Sequence, residues 1–456
     1  MTRGVQTLLG SPKQAIIKLS VPMMIGMFVQ TIYQIADGIW VAGLGPDALA
    51  AVGLFFPFFI VLMAIGGGIG IGGSSAVSRR IGEDDKAEAE KTAIHTILIG
   101  LMAGIVIGFA LIPFLDTIFI GISGDEAVGG MAADYATILF SGSVFIIFFN
   151  IANAILRGEG DARRAMYGLI VGAALNIVLD PLFIYVFGFG VIGAGIATLV
   201  SMIVSSLVFS YWLFFKRITY LHIVFRKFRF EKRIIGEILR VGIPASLSQI
   251  SMAGMMVVLN RIIIIAGGTD GVAVFTSGWR VVMLGIIPLI GLGTGVTAVT
   301  GAAFGQRDRE KLSTAYLYAV KIGVLIELGI AVLVFIFAPQ ISFIFTYSEE
   351  AARITEDLIE FLRIVSGFYP TVPLGMLTAA MLRGIGKGVQ SLLVMLVRIL
   401  VFQIPAAFLL GIVFGLGLTG VWIGFVGGNI LAVAGIFTWG RIQTSRLSFP
   451  LATLKE

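Results

Sequence analysis

The chain is 456 residues long, 58% hydrophobic and only 13% charged, with a mean hydropathy of +1.02. Soluble domains carry about a quarter of their residues charged, so this composition excludes a water-soluble globule and makes the lipid bilayer the solvent. The net charge of +6 is spread along the chain in a way that sets membrane orientation, so no nucleic-acid partner is expected, and the absence of cysteine excludes disulfides and thiolate metal sites.

Residues 1–10 lack a charged segment followed by a short apolar core and a small-residue cleavage site, so no removable signal peptide is expected and the first helix directs insertion. About 20 apolar residues in a helix cross a hydrocarbon core of about 30 Å. Stretches of that kind run over 14–42, 49–73, 90–113, 131–155, 164–187 and 191–215, then over 238–266, 271–296, 313–338, 354–381, 389–413 and 418–441. The spacing therefore predicts an all-α membrane protein of twelve transmembrane helices. Basic residues gather in alternate connections: Arg3, Lys13 and Lys18; Arg79, Arg80, Lys86 and Lys91; Arg157, Arg163 and Arg164; the run from Lys216 to Arg240; Arg307, Arg309 and Lys311; Arg383 and Lys387; and Arg441, Arg446 and Lys455. The other connections hold one base, Arg353, beside acids such as Asp47, Asp125, Asp270 and Glu349. Positive charge marks the cytoplasmic side. Both termini are thus expected in the cytoplasm, in a plasma (inner) membrane.

The chain also repeats itself. Ala154-Ile-Leu-Arg-Gly-Glu-Gly160 returns as Ala380-Met-Leu-Arg-Gly-Ile-Gly386, and Phe187-Gly-Phe-Gly-Val-Ile-Gly193 as Phe414-Gly-Leu-Gly-Leu-Thr-Gly420. Ser141-Gly142, Gly82 and Pro22 return as Ser366-Gly367, Gly305 and Pro244, in order. An even number of helices per copy gives both copies the same orientation, so they are expected as six-helix lobes related by a pseudo-two-fold axis along the membrane normal. The expected division is 1–215 for the N-terminal lobe, 216–240 for a basic cytoplasmic linker and 241–456 for the C-terminal lobe. Gly188-x-Gly190-x-x-Gly193 and its repeat match a dinucleotide fingerprint, but neither lies between a strand and a helix, so both read as tight turns. Gly66 to Gly73 reads as a helix-packing surface, Glu83-Asp84-Asp85 as a solvated loop, and His95 and His222 lack a metal-site spacing.

A carboxylate at the centre of a membrane helix costs on the order of 3 kcal/mol, so Asp37 and Asp180 need a reason. Asp37 lies about seven residues before the turn at Gly43 to Gly45 and Asp180 eight before Gly188, which puts both roughly 10–12 Å below one surface. Thr198 reaches a comparable depth. Asn176 sits one helical turn from Asp180, and Gln30 and Tyr33 line the face below Asp37. Two carboxylates in a low-dielectric layer do not both ionise easily and bind a proton as a unit. The same oxygens, from Asp37, Asn176, Asp180 and Thr198, suit a sodium ion. In the repeat, Asp37 falls on Asn260 and Asp180 on Ala406, so coupling is expected in the N-terminal lobe only. Arg363 with Glu360, and Glu327 with a neighbouring cation, read as paired structural charges. Pro22 removes a backbone hydrogen bond inside the first helix and marks a candidate hinge.

Several segments together resemble the multidrug and toxic compound extrusion (MATE) transporters, a branch of the MOP superfamily, and within them the archaeal and DinF-like group. They are Ser20-Val-Pro-Met-Met-Ile-Gly26, Gln30-Thr-Ile-Tyr-Gln-Ile-Ala-Asp-Gly-Ile-Trp40, Ala50-Ala-Val-Gly-Leu54, Leu156-Arg-Gly-Glu-Gly-Asp161, Asn176-Ile-Val-Leu-Asp-Pro181 and Gly420-Val-Trp-Ile-Gly424. The resemblance covers nearly the whole chain. It implies alternation between outward- and inward-open states and export of cationic, amphipathic drugs in exchange for protons or sodium, with no other cofactor. It places the cation network on Asp37, Asn176, Asp180 and Thr198, with Gln30, Tyr33, Tyr135 and Asn153 as neighbours, and implies bending near Pro22. Asn153 lies only four residues from Arg157, nearer the cytoplasmic end. A monomeric, non-enzymatic transporter is expected. The alternatives are a flippase for lipid-linked precursors, and a membrane-embedded prenyltransferase, which would need paired acidic motifs at the cytoplasmic face.

Overall fold

A computed structural model describes residues 1–216, 218–224 and 228–447. Arg226 and Lys227 of the basic linker run, and Lys455, lie outside the described residues. Every regular element among the described residues is helical. A short helix α1 (Arg3–Leu9) precedes α2 (Pro12–Ala42), α3 (Pro46–Gly82) and α4 (Lys86–Leu111), which continues through a tight turn into α5 (Leu115–Ser123). Helices α6 (Glu126–Ser141) and α7 (Ser143–Gly158) meet at a 53° bend, and α8 (Ala162–Pro181) and α9 (Gly190–Ser210) complete the first half. The second half comprises α10 (Lys232–Gly305), α11 (Arg309–Ile336), α12 (Ala338–Phe345), α13 (Thr355–Ser366), α14 (Val372–Gly384), α15 (Gly388–Leu396), α16 (Ile404–Phe408) and α17 (Gly417–Ser445).

Ten stretches are long and apolar enough to cross a bilayer, eleven when α6 and α7 count as one crossing. The twelfth lies hidden in α10. A straight helix of its 74 residues would be about 110 Å long, several bilayer cores. Its backbone leaves the helical region at Gly267 (φ −150°) and Gly268 (φ 64°), which divides it into two crossings.

The repeat is written in the backbone as well as in the residues. Left-handed conformations recur in pairs at Gly45 and Gly268, Asp84 and Arg307, Gly160 and Gly386, Gly188 and Gly415, and Gly190 and Gly417. Asp85 caps α4 by accepting from the Glu88 amide at 2.9 Å, and its repeat partner Asp308 caps α11 from the Lys311 amide at 2.8 Å. Gly188 and Gly415, both at φ 69°, turn the chain between two helices, where a side chain would be strained. Neither turn follows a strand, so the glycine fingerprint is a hairpin device.

The glycine-rich stretch of α3 packs on three neighbours at once. A Cβ on Gly70 would meet Ala154 of α7 at 2.9 Å, and one on Gly73 would meet Thr96 of α4 at 2.2 Å. Gly68 and Gly72 face the other half: added Cβ atoms would lie 2.6 Å from the Gly242 carbonyl oxygen and 2.2 Å from that of Ile238 on α10. One end of the same interface is closed by Gly82 against Ala302 and Gly305 against Arg79, each 2.0 Å from a carbonyl oxygen. On α2, Ser20 and Met24 press on Gly295 and Gly291 of α10. The two halves therefore touch backbone to backbone.

Ion pairs line this end. Arg80 bonds Glu237 at 2.8 Å and Glu83 at 2.7 Å, Lys91 bonds Glu231 at 3.1 Å, and Arg233 pairs with Glu88. Each of these pairs keeps one partner at least about a third exposed, and surface pairs contribute about 0–1 kcal/mol each, so they align α10 more than they stabilise it. His95, fully buried, has Nδ1 2.8 Å from the Lys91 carbonyl oxygen and accepts the Glu231 amide at Nε2, at 2.9 Å. It anchors the segment entering α10. Glu83 and Asp85 serve as an ion-pair partner and a helix cap, in keeping with a solvated loop.

Replacing Gly72 or Gly82 with Ala forces a methyl group against a carbonyl of α10, an overpacking that costs about 1–3 kcal/mol. Melting of the purified protein should drop for Gly72→Ala and Gly82→Ala and stay unchanged for Gly53→Ala, whose added Cβ meets nothing within 4 Å.

Candidate functional site

Helices α2 and α8 pack side by side, and their last turns are locked together. The Tyr185 hydroxyl donates to the Trp40 carbonyl oxygen, and the two rings meet edge to face at 6.2 Å. Gly43 gives the hydroxyl its space, since a Cβ there would lie 2.2 Å from it. Just below this clamp, three residues back from Trp40 and five from Tyr185, the carboxyl groups of Asp37 and Asp180 face each other.

Asp180 and Asn176 are fully buried and Asp37 is half-buried. The Asn176 amide nitrogen is shared between Asp180 Oδ1 at 3.3 Å and Thr198 Oγ1 at 3.2 Å. Tyr33 lies beside Gln30, and Tyr135 beside Thr198, with both rings buried. A cavity of about 10 Å³ touches Gln30, Tyr33, Asn176, Thr198 and Ser201, about the room of one water. Four buried oxygens here have no hydrogen-bond partner among the described residues: Asp37 Oδ1, Asp180 Oδ2, Asn176 Oδ1 and Ser201 Oγ. Buried oxygens of this kind are normally satisfied. These open oxygens leave room for a proton, a water or a small cation.

The structure thus gathers Asp37, Asp180, Asn176, Thr198, Gln30, Tyr33 and Tyr135 in one place. Asn153 it puts elsewhere: its amide donates to the Ala165 carbonyl at 2.9 Å, and Ala165 is fifteen residues, about 22 Å of helix, from Asp180. It pins α7 to α8. Pro22 sits within an unbroken α2. Ser201 is the residue the sequence reading missed. Its signal was the spacing Thr198, Ser201, Ser205, which carries hydroxyls along one face of α9, two of them unpartnered. Among the described residues, no three His, Cys, Asp or Glu side chains cluster as a metal site.

The second half is different at the matched place. Asn260 and Ala406 replace the acids. Nearby, Gln403 donates to Asn429 at 3.2 Å and Asn429 to Thr371 at 2.7 Å, a neutral network. The structural charge pairs expected in this half do not form. Arg363 lies over the Phe335 ring at 5.9 Å and Glu360 accepts from Thr419 at 2.8 Å. Glu327 is fully buried with neither carboxyl oxygen partnered among the described residues. The reason is geometric, because Glu360 and Arg363 are three residues apart on α13, yet Glu360 turns to Thr419 on α17 and Arg363 to Phe335 on α11.

A membrane protein of paired six-helix repeats with two facing acids buried in one of them is the architecture of a secondary transporter. The MatE family pattern matches residues 22–182 and 244–409, once in each half. The chain is 26% identical over 426 residues to the multidrug export protein MepA of Staphylococcus aureus, covering 92% of each chain. It is similar, with a TM-score of 0.95 at 51% identity over 98% of both chains, to an outward-facing multidrug resistance MATE family transporter of the MOP superfamily. The same TM-score, identity and coverage relate it to a MOP superfamily transporter from Pyrococcus furiosus, whose binding pocket of reverse polarity suggests a different function. The protein belongs to the MATE family, as a multi-pass membrane transporter of the multidrug efflux class.

Glu159, just beyond α7, is a buried acid that the sequence reading passed over. It accepts the Leu221 amide at 3.1 Å and is fully buried, and burial pushes its carboxyl from 4.5 up to about 8. A carboxyl raised in the folded state contributes stability that is complete below its ordinary pKa and lost as pH rises through the folded value. Thermal midpoints should therefore fall between about pH 5 and pH 8 in the wild type relative to Glu159→Gln; parallel pH profiles would show that this carboxyl stays ionised.

Proposed function

We propose that this protein is a secondary-active antiporter of the plasma membrane that exports cationic, amphipathic compounds by alternating access, in exchange for protons or sodium ions. Coupling is confined to the N-terminal half. In this reading residues 1–215 and 241–456 are the two moving lobes of a monomer, 216–240 is the linker, and both termini are cytoplasmic. The contacts of Gly82 and Gly305 close the end that the positive-inside pattern assigns to the cytoplasm, which fits an outward-facing state.

The observation that carries this reading is the facing pair Asp37 and Asp180. Two carboxylates in a low-dielectric layer repel one another. A shared proton relieves the repulsion, and so does a sodium ion held by Asp37, Asn176, Asp180 and Thr198, with Ser201 adding a further oxygen. Occupancy draws α2 towards α8, and release lets α2 relax. Pro22 leaves a carbonyl of α2 without its helical donor and so provides a place to bend. Ser20 and Met24, on either side of Pro22, are among the residues that touch α10 of the other half. A bend there changes the contact between the lobes, which links cation occupancy to the side on which the cleft opens.

A second reading is a flippase for anionic lipid-linked molecules. It is favoured by Arg383 and Arg398, whose Nε atoms are buried without a partner among the described residues of the second half, and by the reversed polarity named for the Pyrococcus furiosus relative.

Dye efflux from inverted vesicles separates these readings. Under an imposed proton gradient without sodium, and a sodium gradient at constant pH, one of the two should drive efflux. Asp37→Asn and Asp180→Asn should each bring it down to the level of vesicles lacking the transporter. Undiminished efflux in both variants would sink the coupling assignment, and failure of every gradient with the wild type would favour the flippase.

A further inference from the structure

A cavity of about 1120 Å³ lies at the foot of α2, away from the facing acids, between α1, the first turns of α2, the α7–α8 turn and the start of α8. Its floor is tight: Gly4 and Gly160 meet backbone to backbone, and a Cβ on Gly4 would be 3.0 Å from the Gly160 carbonyl carbon. Four bases line it, and Asp161 neutralises only one of them, Arg164. The side chains of the other three, Arg3, Lys18 and Arg163, are exposed and take no ion pair among the described residues. Three uncompensated positive charges therefore face one space at the membrane boundary.

The remaining wall is apolar. Ile17, Val21 and Tyr167 line the cavity with their side chains exposed. From Ile17 and Val21 the exposed apolar positions continue up α2 through Ile25, Phe28 and Ile32, spaced three or four residues apart on one helical face. The cations thus sit at the foot of an apolar ridge that runs into the hydrocarbon layer. A soluble anion has no use for that ridge, and a cationic substrate would be repelled by the charges. Basic pockets between membrane helices at the cytoplasmic edge bind lipid headgroups.

We propose that this cavity binds the phosphate headgroup of an anionic membrane lipid through Arg3, Lys18 and Arg163, with a lipid chain lying along the α2 ridge. Pro22 also lines the cavity, so the bound lipid braces α2 at the level of its proline. The assignment does not depend on which ion drives transport.

Native mass spectrometry of the detergent-purified protein with phosphatidylglycerol, and with phosphatidylcholine of the same chains, tests it. The wild type should retain phosphatidylglycerol in preference. Arg3→Gln/Lys18→Gln/Arg163→Gln should weaken that binding roughly a hundredfold, at about fivefold for each cation lost, whereas Arg307→Gln/Arg309→Gln, which removes charge elsewhere, should leave it unchanged. Lys18→Gln alone and Ile17→Glu give the same answer from single exposed positions if the triple variant fails to fold. Equal retention of the two lipids, equal losses in the control variant, or displacement of phosphatidylglycerol by inorganic phosphate alone would overturn the proposal.

Discussion

The architecture depends on how closely α3 and α10 approach. Within a bilayer there is no hydrophobic gain from bringing two apolar helices together, because lipid chains are as apolar as the side chains. Association must come from van der Waals contact, and that is strongest where backbones touch. Gly68, Gly72 and Gly82 on α3, meeting Gly242, Ile238 and Ala302 on α10, provide that contact at one end of the molecule. The ion pairs of Arg80, Lys91 and Arg233 then fix the register of α10 against α3 and α4.

On this scaffold the two halves have diverged in chemistry while keeping their backbone. Five pairs of left-handed positions and the caps Asp85 and Asp308 recur between the copies, down to Asp84 and Arg307, where the conformation is kept although the charge is reversed. The polar interior is not kept. Asp37, Asn176 and Asp180 leave buried oxygens open, whereas Gln403, Asn429 and Thr371 join in a chain of neutral hydrogen bonds. An open cluster of acids responds to its occupant. A neutral network of amides has no charge state to change within the ordinary range of pH.

Much of this was legible in the sequence because the bilayer imposes strong rules. Span length, the alternation of basic loops and the repeat of glycine turns each follow from one constraint and point the same way, and the depth estimates for Asp37 and Asp180 rest on helical rise alone. What the residues did not reveal is three-dimensional pairing. Asn153 belongs to the family pattern yet bonds the Ala165 carbonyl, because its position on α7 faces the start of α8 and not its end. Arg363 and Glu360 look like partners at a spacing of three, but each finds its contact across helices. Ser201 and Glu159 escaped notice for the opposite reason. A serine in a small-residue helix is unremarkable until its missing partner singles it out, and a glutamate in a loop until its burial does.

The glycine contacts between the halves have one more consequence. Closing an interface of ordinary side chains freezes rotamers, whereas glycine has no rotamers to freeze. If the lobes alternate as proposed, the interface of α3 and α10 separates and re-forms without ordering side chains anew.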